Sequence, residues 1–499
     1  PGLCPVDLQL SFLKMCHAQT CGKCVPCRVG LGQLQNLMED VLAGKATLKT
    51  LDLIRDTASD IVDSADCAIG YEAAHMVLAG LEGFREDYVY HIEHGGKCSC
   101  HITQPVPCVA LCPAGVDIPG YIALVKEERY ADAVKLIRKD NPFPTACALI
   151  CEHPCEARCR RNMIDSAINI RGLKRMAVDN ARANTVPVPE KAESTGKKVA
   201  IIGGGPGGLS AAYYLELMGH HAVVFEEKSK LGGMLRYGIP NFKLPKEVID
   251  RRMDVLKAEG IRFKMGVPID VRKLPAGFDA YAVCTGTPAA RDLVIPGREL
   301  KGIHFALEML AQQNRILAGQ TFSKDKLVNA KGKKVLVIGG GDTGSDCIGT
   351  SVRQGAVSVT QIEIMPKPPV GYNPATPWPQ WPAVFKTTSS HEEGCTRRWC
   401  LASNQFLGKN GKVTGVEVEE VEWIPAADGG RPTMKPTGKK EVIEADMVLL
   451  AMGFLKPEQP KFAKNVFLAG DAETGASLVV RAMTGGRKAA AEIDAYLIQ

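Results

Sequence analysis

Cysteine is the residue type whose number and spacing most clearly point to chemistry in this sequence. The chain holds 18 cysteines in 499 residues, and 14 of them precede residue 160. Disulfide frameworks belong to short secreted chains, whereas most of these cysteines stand in tight groups. Such grouping is typical of metal coordination, so we expect metal centres in the first third of the chain.

The first cysteine set has the spacing of a cubane iron–sulfur ligand loop. Cys21, Cys24 and Cys27 are separated by two residues each, and Cys67 follows after 39 residues. Three cysteines on one loop can reach three irons, and a distant cysteine can reach the fourth. We therefore predict a [4Fe-4S] cluster here, with a zinc site as the alternative.

The second cysteine set is large enough for two further clusters. Its members lie between residues 98 and 159 and are Cys98, Cys100, Cys108, Cys112, Cys147, Cys151, Cys155 and Cys159. Eight thiolates can hold two [4Fe-4S] clusters, which brings the predicted total to three.

A strand–glycine turn–helix pattern occurs twice after residue 196. The three glycines of each copy permit a tight turn, backbone approach to a pyrophosphate and close helix–strand packing. Glu226 and Glu363 end the next strand of each copy, where a carboxylate would accept a hydrogen bond from an adenosine ribose. A glycine-rich turn without a ligand is the alternative. The glycines are Gly203, Gly205 and Gly208 in the first copy, and Gly339, Gly341 and Gly344 in the second.

The surroundings of the two copies differ, which assigns FAD to the first and NAD(P)H to the second. A loop that begins Leu231-Gly-Gly-Met follows only the first copy, and a strand near the C-terminus would present Asp471 to a ribityl hydroxyl. A helix is predicted over 475–487. The remaining predicted FAD contacts are Pro206, Gly233, Leu235, Arg236, Thr285, Gly286 and Ser477, and the remaining NAD(P)H contacts are Asp342 and Thr343.

The predicted fold class is α/β, with two Rossmann-like dinucleotide-binding domains preceded by two mainly α-helical iron–sulfur domains. Leucines at helical spacing from Leu31 predict the first helical domain, and one helix is predicted over 122–138. The predicted FAD domain is split by the inserted NAD(P)H domain. The predicted boundaries are 1–97 and 98–185 for the helical domains, 186–196 for a linker, 197–300 and 456–499 for the FAD domain, and 301–455 for the NAD(P)H domain.

Composition argues against nucleic-acid and membrane proteins. The net charge of +6 is modest and uneven, because residues 1–100 hold 8 Lys/Arg against 13 Asp/Glu. No apolar run approaches the roughly 20 residues that a membrane helix needs. No signal peptide opens the sequence, and we expect a cytoplasmic protein that binds neither nucleic acid nor membrane.

Residues from about 100 to 499 resemble the small subunit of glutamate synthase, the N-terminal half of dihydropyrimidine dehydrogenase and the large subunit of Nfn-type ferredoxin:NADP transhydrogenases. The resemblance implies FAD, NAD(P)H and two [4Fe-4S] clusters, with hydride passing from NAD(P)H to FAD. Such a transfer depends on orientation, so no catalytic side chain is predicted. The matching motifs are Cys108-x-x-x-Cys112-Pro, Tyr237-Gly-Ile-Pro, Met365-Pro-Lys-Pro-Pro, Thr376-Pro-Trp-Pro-Gln-Trp-Pro and His391-Glu-Glu-Gly.

This family pattern also implies how the second cysteine set divides. One cluster would take an upstream cysteine pair with Cys108 and Cys159. The other would take Cys112, Cys151 and Cys155, closed by a Glu or Gln on the following helix. The sequence departs from the pattern twice. The upstream pair is spaced Cys98-Ser-Cys100 and also aligns with the tail of the N-terminal module, and Lys174 occupies the Glu/Gln position, so that Cys147 is an alternative ligand.

The N-terminal hundred residues resemble the C-terminal cluster domain of the NADH-oxidising, FMN-bearing subunit of complex I and of bifurcating hydrogenases. The motif Cys21-Gly-Lys-Cys-Val-Pro-Cys-Arg, with Asp87-Tyr88 and His91-Ile92, carries this resemblance. The FMN domain is absent here. The resemblance therefore implies a cluster carrier and docking module.

Together the two resemblances imply an electron-transfer flavoprotein subunit of an electron-bifurcating NADPH/NADH/ferredoxin transhydrogenase of the Stn kind. The implied partners are a complex I-like FMN/Fe-S subunit, a small [2Fe-2S] subunit and, at the level of the complex, ferredoxin. A hydrogenase or formate dehydrogenase assembly with the same wiring is also implied. The alternatives are the small subunit of glutamate synthase and a zinc-stabilised scaffold. Glu363 favours NADH and the Nfn resemblance favours NADPH, so the coenzyme stays open.

Overall fold

The computed structural model describes residues 4–98, 106–181, 186, 189–371, 373–376, 383–424 and 432–498. Cys100 and most of the motif at 376–382 lie outside these described residues. The chain divides into two compact units, Pro1–Val106 and Pro107–Gln499. The sequence places this boundary slightly earlier, at 97/98.

The first unit is helical, as predicted. Its α2 helix buries Leu31, Leu34, Met38 and Val41 completely, because their spacing brings them onto one face. A π-helical turn over Pro26–Gly30 precedes that helix and carries Cys27. The helices are α1 (Pro5–Ala18), α2 (Leu31–Leu42), α3 (Leu48–Ser64), α4 (Ala68–Gly83) and α5 (Arg85–Glu93).

The second unit begins with short helices and turns that carry six of the predicted ligand cysteines, Cys108, Cys112, Cys147, Cys151, Cys155 and Cys159. The single helix predicted over 122–138 is wrong: Glu128 adopts φ +58°, and the chain forms two helices around it. A 3₁₀ turn spans Arg160–Met163. The helices are α6 (Pro107–Ala110), α7 (Ile118–Lys126), α8 (Tyr130–Arg138), α9 (Pro144–Ile150), α10 (Pro154–Ala157) and α11 (Ile170–Asn180).

A parallel strand–helix–strand unit follows. The first strand is buried at every position except Lys198, as expected for a central strand covered on both faces. Its elements are β1 (Lys198–Ile202), α12 (Pro206–Leu217), β2 (His221–Glu226), α13 (Met234–Tyr237), α14 (Lys246–Ala258), β3 (Arg262–Met265) and β4 (Ala280–Val283).

A second parallel sheet and a three-stranded antiparallel sheet come next. The parallel sheet has strand order β5-β12-β6-β7-β8, and the antiparallel sheet has order β11-β10-β9. A 3₁₀ turn over Lys324–Lys326 follows α15. The elements are β5 (Ile303–Phe305), α15 (Ala306–Leu317), β6 (Lys334–Ile338), α16 (Asp342–Gln354), β7 (Ser358–Ile362), α17 (Ser389–Glu392), β8 (Thr396–Arg398), β9 (Leu401–Lys409), β10 (Lys412–Ile424), β11 (Thr433–Glu444) and β12 (Met447–Leu450).

The C-terminal segment returns to the first sheet through β13 (Val466–Leu468), α18 (Asp471–Thr474) and α19 (Val479–Leu497). That sheet has the order β13-β4-β1-β2-β3, so the C-terminal strand β13 shares one sheet with β1 to β4. The helix predicted over 475–487 instead starts at Val479. The reason is Gly475, which has φ +87° and ends the short helix α18 before α19 begins.

Candidate cofactor sites

The first glycine loop is held too tightly for side chains at two of its three glycines. Gly203 has φ +110°, and a Cβ there would lie 2.4 Å from the Cys284 carbonyl oxygen. A Cβ on Gly208 would lie 2.0 Å from the Gly203 carbonyl oxygen. The turn and the start of α12 can therefore adopt this packing only with glycine.

The middle glycine of each loop faces open space. A Cβ on Gly205 would meet only the Gly233 Cα at 3.9 Å, and a Cβ on Gly341 would meet nothing within 4 Å. Both glycines precede the first turn of a helix, whose free backbone N–H groups attract anions. The residues present therefore fit a dinucleotide pyrophosphate in both loops.

The second glycine loop repeats the packing of the first. Gly339 has φ +121°, and a Cβ there would lie 2.3 Å from the Ala451 carbonyl oxygen. A Cβ on Gly344 would lie 2.4 Å from the Gly339 carbonyl oxygen. The two loops thus share one construction, although their next elements differ.

A carboxylate is hydrogen-bonded to the backbone of each loop. Glu226 accepts from the Gly204 N–H at 2.8 Å and from the Lys228 N–H at 2.9 Å. Glu363 accepts from the Gly340 N–H at 2.6 Å, and its second oxygen accepts from the Met365 N–H at 3.0 Å. Each carboxylate has lone pairs left to accept a ribose hydroxyl.

The loop after β2 is fixed by internal contacts. The buried Arg236 donates to the Leu231 carbonyl at 2.5 Å and pairs with Asp250 at 2.5 Å. Leu235, also a predicted FAD contact, has a fully buried side chain in the core. The side chains of these two residues therefore support the loop, and their backbone is what a cofactor can reach.

Lys246 supports the same loop and was missed from the sequence. Its ammonium donates to the carbonyls of Leu235, Ile239 and Leu244 at 3.0, 2.6 and 3.1 Å. Burial lowers the pKa of Lys246 to about 8. A lone lysine 11 residues after Leu235 gives no sequence signal for this role.

At the other edge of the first site, Asp471 begins α18 and Ser477 donates to its carboxylate at 2.6 Å. Burial raises the pKa of Asp471. Thr285 and Gly286 follow the end of β4, and the Thr285 Cα would lie 3.3 Å from a Cβ on Gly203. These predicted FAD contacts thus lie at the carboxyl ends of strands that share one sheet, where open α/β sheets bind ligands.

The second glycine loop also contacts the cysteine-bearing helices. Asp342 starts α16, ahead of Thr343, and hydrogen-bonds with Glu152, whose carboxylate forms an ion pair with Lys386. Burial and the neighbouring Glu152 raise the pKa of Asp342 to about 7. Glu152 directly follows Cys151 in the chain, so this contact joins a predicted cluster ligand to the nucleotide loop.

In the first unit, the predicted cluster cysteines are brought together. Cys27 is buried on the π-helical turn and interacts with Cys24, Cys67 and Cys21. Cys67 stands at the N-terminus of α4. The packing of α3 against α4 thus brings Cys67 to the other three cysteines, although 39 residues separate it from Cys27.

In the second unit, the described cysteines before residue 160 form two neighbourhoods that share Cys112. Cys108 interacts with Cys159 and Cys112. A second group surrounds Cys147, whose thiol interacts with those of Cys151 and Cys112, and Cys155 interacts with the same two. This grouping supplies four thiols, Cys112, Cys147, Cys151 and Cys155, for one cluster.

Lys174 lies beside that second group. Its side chain is buried, interacts with Cys147 and Cys155, and lies 5.9 Å from the centre of the Tyr121 ring. Burial raises the pKa of the Cys147 and Cys155 thiols. A buried cation and bound iron would both stabilise the thiolate forms, so the donor set fits an iron–sulfur cluster.

Ligand spacing in these sets differs from that of a single-ion site. Thiolates around one zinc ion lie about 3.8 Å apart, given Zn–S bonds of about 2.3 Å. Among the described residues, the one group of three or more His, Cys, Asp or Glu ligand atoms within 4.8 Å of one another is Cys4, His91 and Cys98. In the part of the chain that the structure describes, no three thiols of the four-cysteine sets lie that close to one another, as expected for ligands of separate irons.

The cysteine-bearing helices contact the helices of the first dinucleotide domain. Thr484 on α19 donates to the Pro113 carbonyl at 3.0 Å, and Arg487 donates to the Ala114 carbonyl at 3.0 Å. Arg487 also pairs with Asp140 at 2.7 Å. Cys112 directly precedes Pro113, so one predicted cluster ligand is anchored to the helix that follows Asp471.

Three family descriptions match the chain. "NADH-ubiquinone oxidoreductase-F iron-sulfur binding region" matches residues 7–91. "Dihydropyrimidine dehydrogenase domain II, 4Fe-4S cluster" matches residues 91–186, and "pyridine nucleotide-disulphide oxidoreductase" matches residues 197–375. These matches confirm the iron–sulfur and dinucleotide resemblances predicted from the sequence.

Curated relatives cover most of the chain. A glutamate synthase [NADPH] small chain of Mycobacterium tuberculosis is 40% identical over 419 residues, which cover 78% of this chain and 85% of that one. The beta subunit of a Geobacter sulfurreducens NADPH-Fe(3+) oxidoreductase is 32% identical and covers 89% of this chain and 65% of its own length. The beta subunit of a Moorella thermoacetica NADP(+)-dependent formate dehydrogenase is 26% identical over 98% of this chain and 79% of its own.

Within the described residues, no helix combines the length and apolarity needed to span a bilayer.

Proposed function

The chain belongs to the glutamate synthase small-chain family, and we propose that within it this protein is the flavoprotein subunit of an electron-bifurcating transhydrogenase. The family and domain matches make the chain an NAD(P)H-dependent FAD and iron–sulfur oxidoreductase. In the proposed complex, electrons from this oxidoreductase pass through [4Fe-4S] clusters to a complex I-like FMN subunit that also uses NAD⁺ and ferredoxin.

The observation that carries the proposal is the N-terminal unit. Its cysteines Cys21, Cys24, Cys27 and Cys67 lie together, and its family match is to a cluster region of an NADH-ubiquinone oxidoreductase subunit. Electron delivery to an amidotransferase subunit does not require such a unit. A module of this type fused to a flavoprotein is well suited to dock beside a complex I-like partner.

The dinucleotide loops bind and orient the two reacting cofactors. FAD held in the first loop would supply a site for hydride transfer from NAD(P)H and for the release of single electrons. Gly205 and Gly341 leave room for the two pyrophosphates, and Glu226 and Glu363 offer acceptors to the adenosine riboses. Lys246 and Arg236 keep the flavin loop in shape through backbone contacts.

The cysteine groups then provide the route for single electrons. We assign one cluster to the set at Cys21, one to the four thiols around Cys147, and one to a set that includes Cys108 and Cys159, for three in total. The Thr484 and Arg487 contacts hold the chain beside Cys112 against the FAD domain. This short connection favours the Cys147 group as the first acceptor from the flavin.

The second candidate function is the small subunit of a glutamate synthase. The 40% identity to a glutamate synthase small chain favours it. That alignment covers 78% of the chain, and two relatives that cover more of it are subunits of an Fe(3+) oxidoreductase and a formate dehydrogenase. The additional coverage argues against the glutamate synthase small subunit, and the N-terminal unit is the reason for preferring the transhydrogenase.

The test uses the assembly purified anaerobically from its native host, in wild-type form and with Cys67→Ser. We expect the wild type to reduce NAD⁺ and ferredoxin with NADPH, with the two acceptors reduced together in a fixed ratio. Cys67→Ser should lose this coupled reaction at least tenfold and keep NAD(P)H:ferricyanide activity, since ferricyanide can accept electrons before the N-terminal cluster. Cys16→Ser, on the same unit but outside the cluster set, is the matched control. NAD(P)H oxidation that requires glutamine and 2-oxoglutarate would overturn the proposal in favour of glutamate synthesis.

A further inference from the structure

A further group of possible metal ligands joins residues near the two ends of the N-terminal unit. The ligand atoms of Cys4, His91 and Cys98 all lie within 4.8 Å of one another. The Cys4 Sγ is 3.2 Å from the His91 Nε2. Cys4 stands directly before α1, His91 lies in α5, and Cys98 follows that helix, so residues far apart in sequence converge here.

His91 is oriented as a ligand rather than as a surface side chain. Its side chain is buried, at 2% exposure, and its Nδ1 is 3.1 Å from the Gly96 carbonyl oxygen. A carbonyl at Nδ1 can only accept, so the proton sits on Nδ1 and leaves the Nε2 lone pair facing Cys4. This is the arrangement by which outer partners fix metal-ligating histidines.

We propose that Cys4, His91 and Cys98 bind a single Zn²⁺ ion. Two thiolates and one imidazole are ligands that Zn²⁺ prefers, and a tetrahedral ion places them about 3.5–4 Å apart. A [4Fe-4S] cluster needs ligands on separate irons and hence a wider group. The fourth position is left for water or another ligand.

The site would join the first and last segments of the N-terminal unit. Cys4 accepts a hydrogen bond from the Asp7 N–H at 3.4 Å and so belongs to the cap of α1. Bound zinc would tie this cap to the chain that leaves α5. Cys98, which the sequence predicts as an iron ligand, then belongs to the zinc site. The cluster set with Cys108 and Cys159 keeps Cys100 as its third cysteine, so its fourth ligand is not one of the eight predicted cysteines.

The test is metal analysis of the full chain, purified anaerobically with its clusters in place. Zinc and iron are measured by mass spectrometry, and the zinc environment by X-ray absorption at the zinc edge. We expect about one zinc per chain, with two sulfur neighbours at about 2.3 Å and nitrogen or oxygen at about 2.0–2.1 Å.

Three variants locate the site. Cys4→Ser and His91→Asn should each lower bound zinc at least tenfold and leave iron content and cluster EPR signals unchanged. The matched control is His94→Asn, because His94 lies one turn from His91 and its Nδ1 contacts the Tyr90 carbonyl. It should keep its zinc.

Several results would overturn the proposal. They are wild-type protein with less than a tenth of a zinc per chain, a zinc spectrum without sulfur neighbours, and full zinc retention in Cys4→Ser and His91→Asn. Loss of about four irons per chain in Cys98→Ser would show instead that Cys98 holds a cluster. The zinc spectrum of the wild type gives a result even where a variant fails to fold.

Discussion

The middle glycines of the two loops allow cofactor binding to be weakened without disturbing the fold. A Cβ on Gly341 would meet no protein atom within 4 Å, and a Cβ on Gly205 would meet one atom at 3.9 Å. Both residues have φ −82° with extended ψ, which alanine adopts freely. The added methyl would instead occupy space that we assign to a pyrophosphate.

The expected loss follows from the hydrogen bonds involved. If alanine moves the pyrophosphate out of reach of one backbone N–H, a charge-assisted hydrogen bond worth about 1.5–3 kcal/mol is lost. At 1.4 kcal/mol per tenfold, this corresponds to a rise of about 10- to 150-fold in the dissociation constant. Gly341→Ala should therefore raise the KM for NAD(P)H by that factor, with FAD content and melting temperature unchanged.

In the first loop, the equivalent substitution should weaken FAD binding instead of NAD(P)H binding. Gly205→Ala should weaken FAD binding by a similar factor, measured as flavin absorbance after gel filtration, and keep the second domain folded. The KM for NAD(P)H in Gly341→Ala is measured from the rate of ferricyanide reduction by the flavin-loaded protein. Gly344→Ala serves as the steric control: its Cβ would lie 2.4 Å from the Gly339 oxygen, so it should lower the melting temperature. An unchanged KM in Gly341→Ala, or a fall in its melting temperature as large as that of Gly344→Ala, would refute the reasoning.

Four further variants test individual side chains. Cys147→Ser should remove or convert one [4Fe-4S] cluster, seen as a [3Fe-4S] EPR signal or about four fewer irons per chain, whereas Cys16→Ser should leave the iron content intact; full iron in Cys147→Ser would contradict its ligand role. Lys174→Gln removes a buried positive charge beside Cys147 and Cys155. A nearby charge is worth a few kcal/mol at an effective dielectric constant near 20. The midpoint potential of that cluster, measured by redox-titrated EPR, should therefore fall by on the order of 100 mV. Burial lowers the pKa of His391 to about 4, so between about pH 6.5 and 4 the unfolded chain binds more protons than the folded protein does. As the pH falls through that window, the free energy of unfolding should decrease by up to about 2–3 kcal/mol. His391→Asn should flatten this pH dependence in denaturant titrations. Glu363→Gln removes a carboxylate that would repel a 2′-phosphate and should raise the ratio of kcat/KM for NADPH to that for NADH by about 10-fold; an unchanged ratio would separate Glu363 from coenzyme choice.

Much of the fold was predictable because its signals are local. The glycine loops follow buried strands and start helices, and the repeat revealed two parallel sheets. The helical N-terminal unit followed from the period of its leucines. Two helix predictions failed at single backbone positions: Glu128 at φ +58° splits one helix, and Gly475 at φ +87° delays another. A positive φ at a glutamate has no sequence signature.

The functional residues that the sequence missed act through contacts that no local motif shows. Cys4 lies 87 residues before His91, and neither residue has a spacing that predicts a metal ligand. Lys246 supports a loop through three carbonyls, and Glu152 reaches Asp342 from another helical segment. The choice of Cys147 as a ligand was left open by the sequence, because only packing shows Cys112, Cys151 and Lys174 around it.

The central claim is that this flavoprotein delivers electrons through its N-terminal cluster to a complex I-like FMN subunit. The most direct measurement is anaerobic purification of the native assembly, with its subunits identified by peptide mass spectrometry. We predict that an FMN-bearing, complex I-like subunit co-purifies in equal amount with this chain, together with a small [2Fe-2S] subunit. A large amidotransferase subunit in their place would contradict the claim and assign the chain to glutamate synthesis.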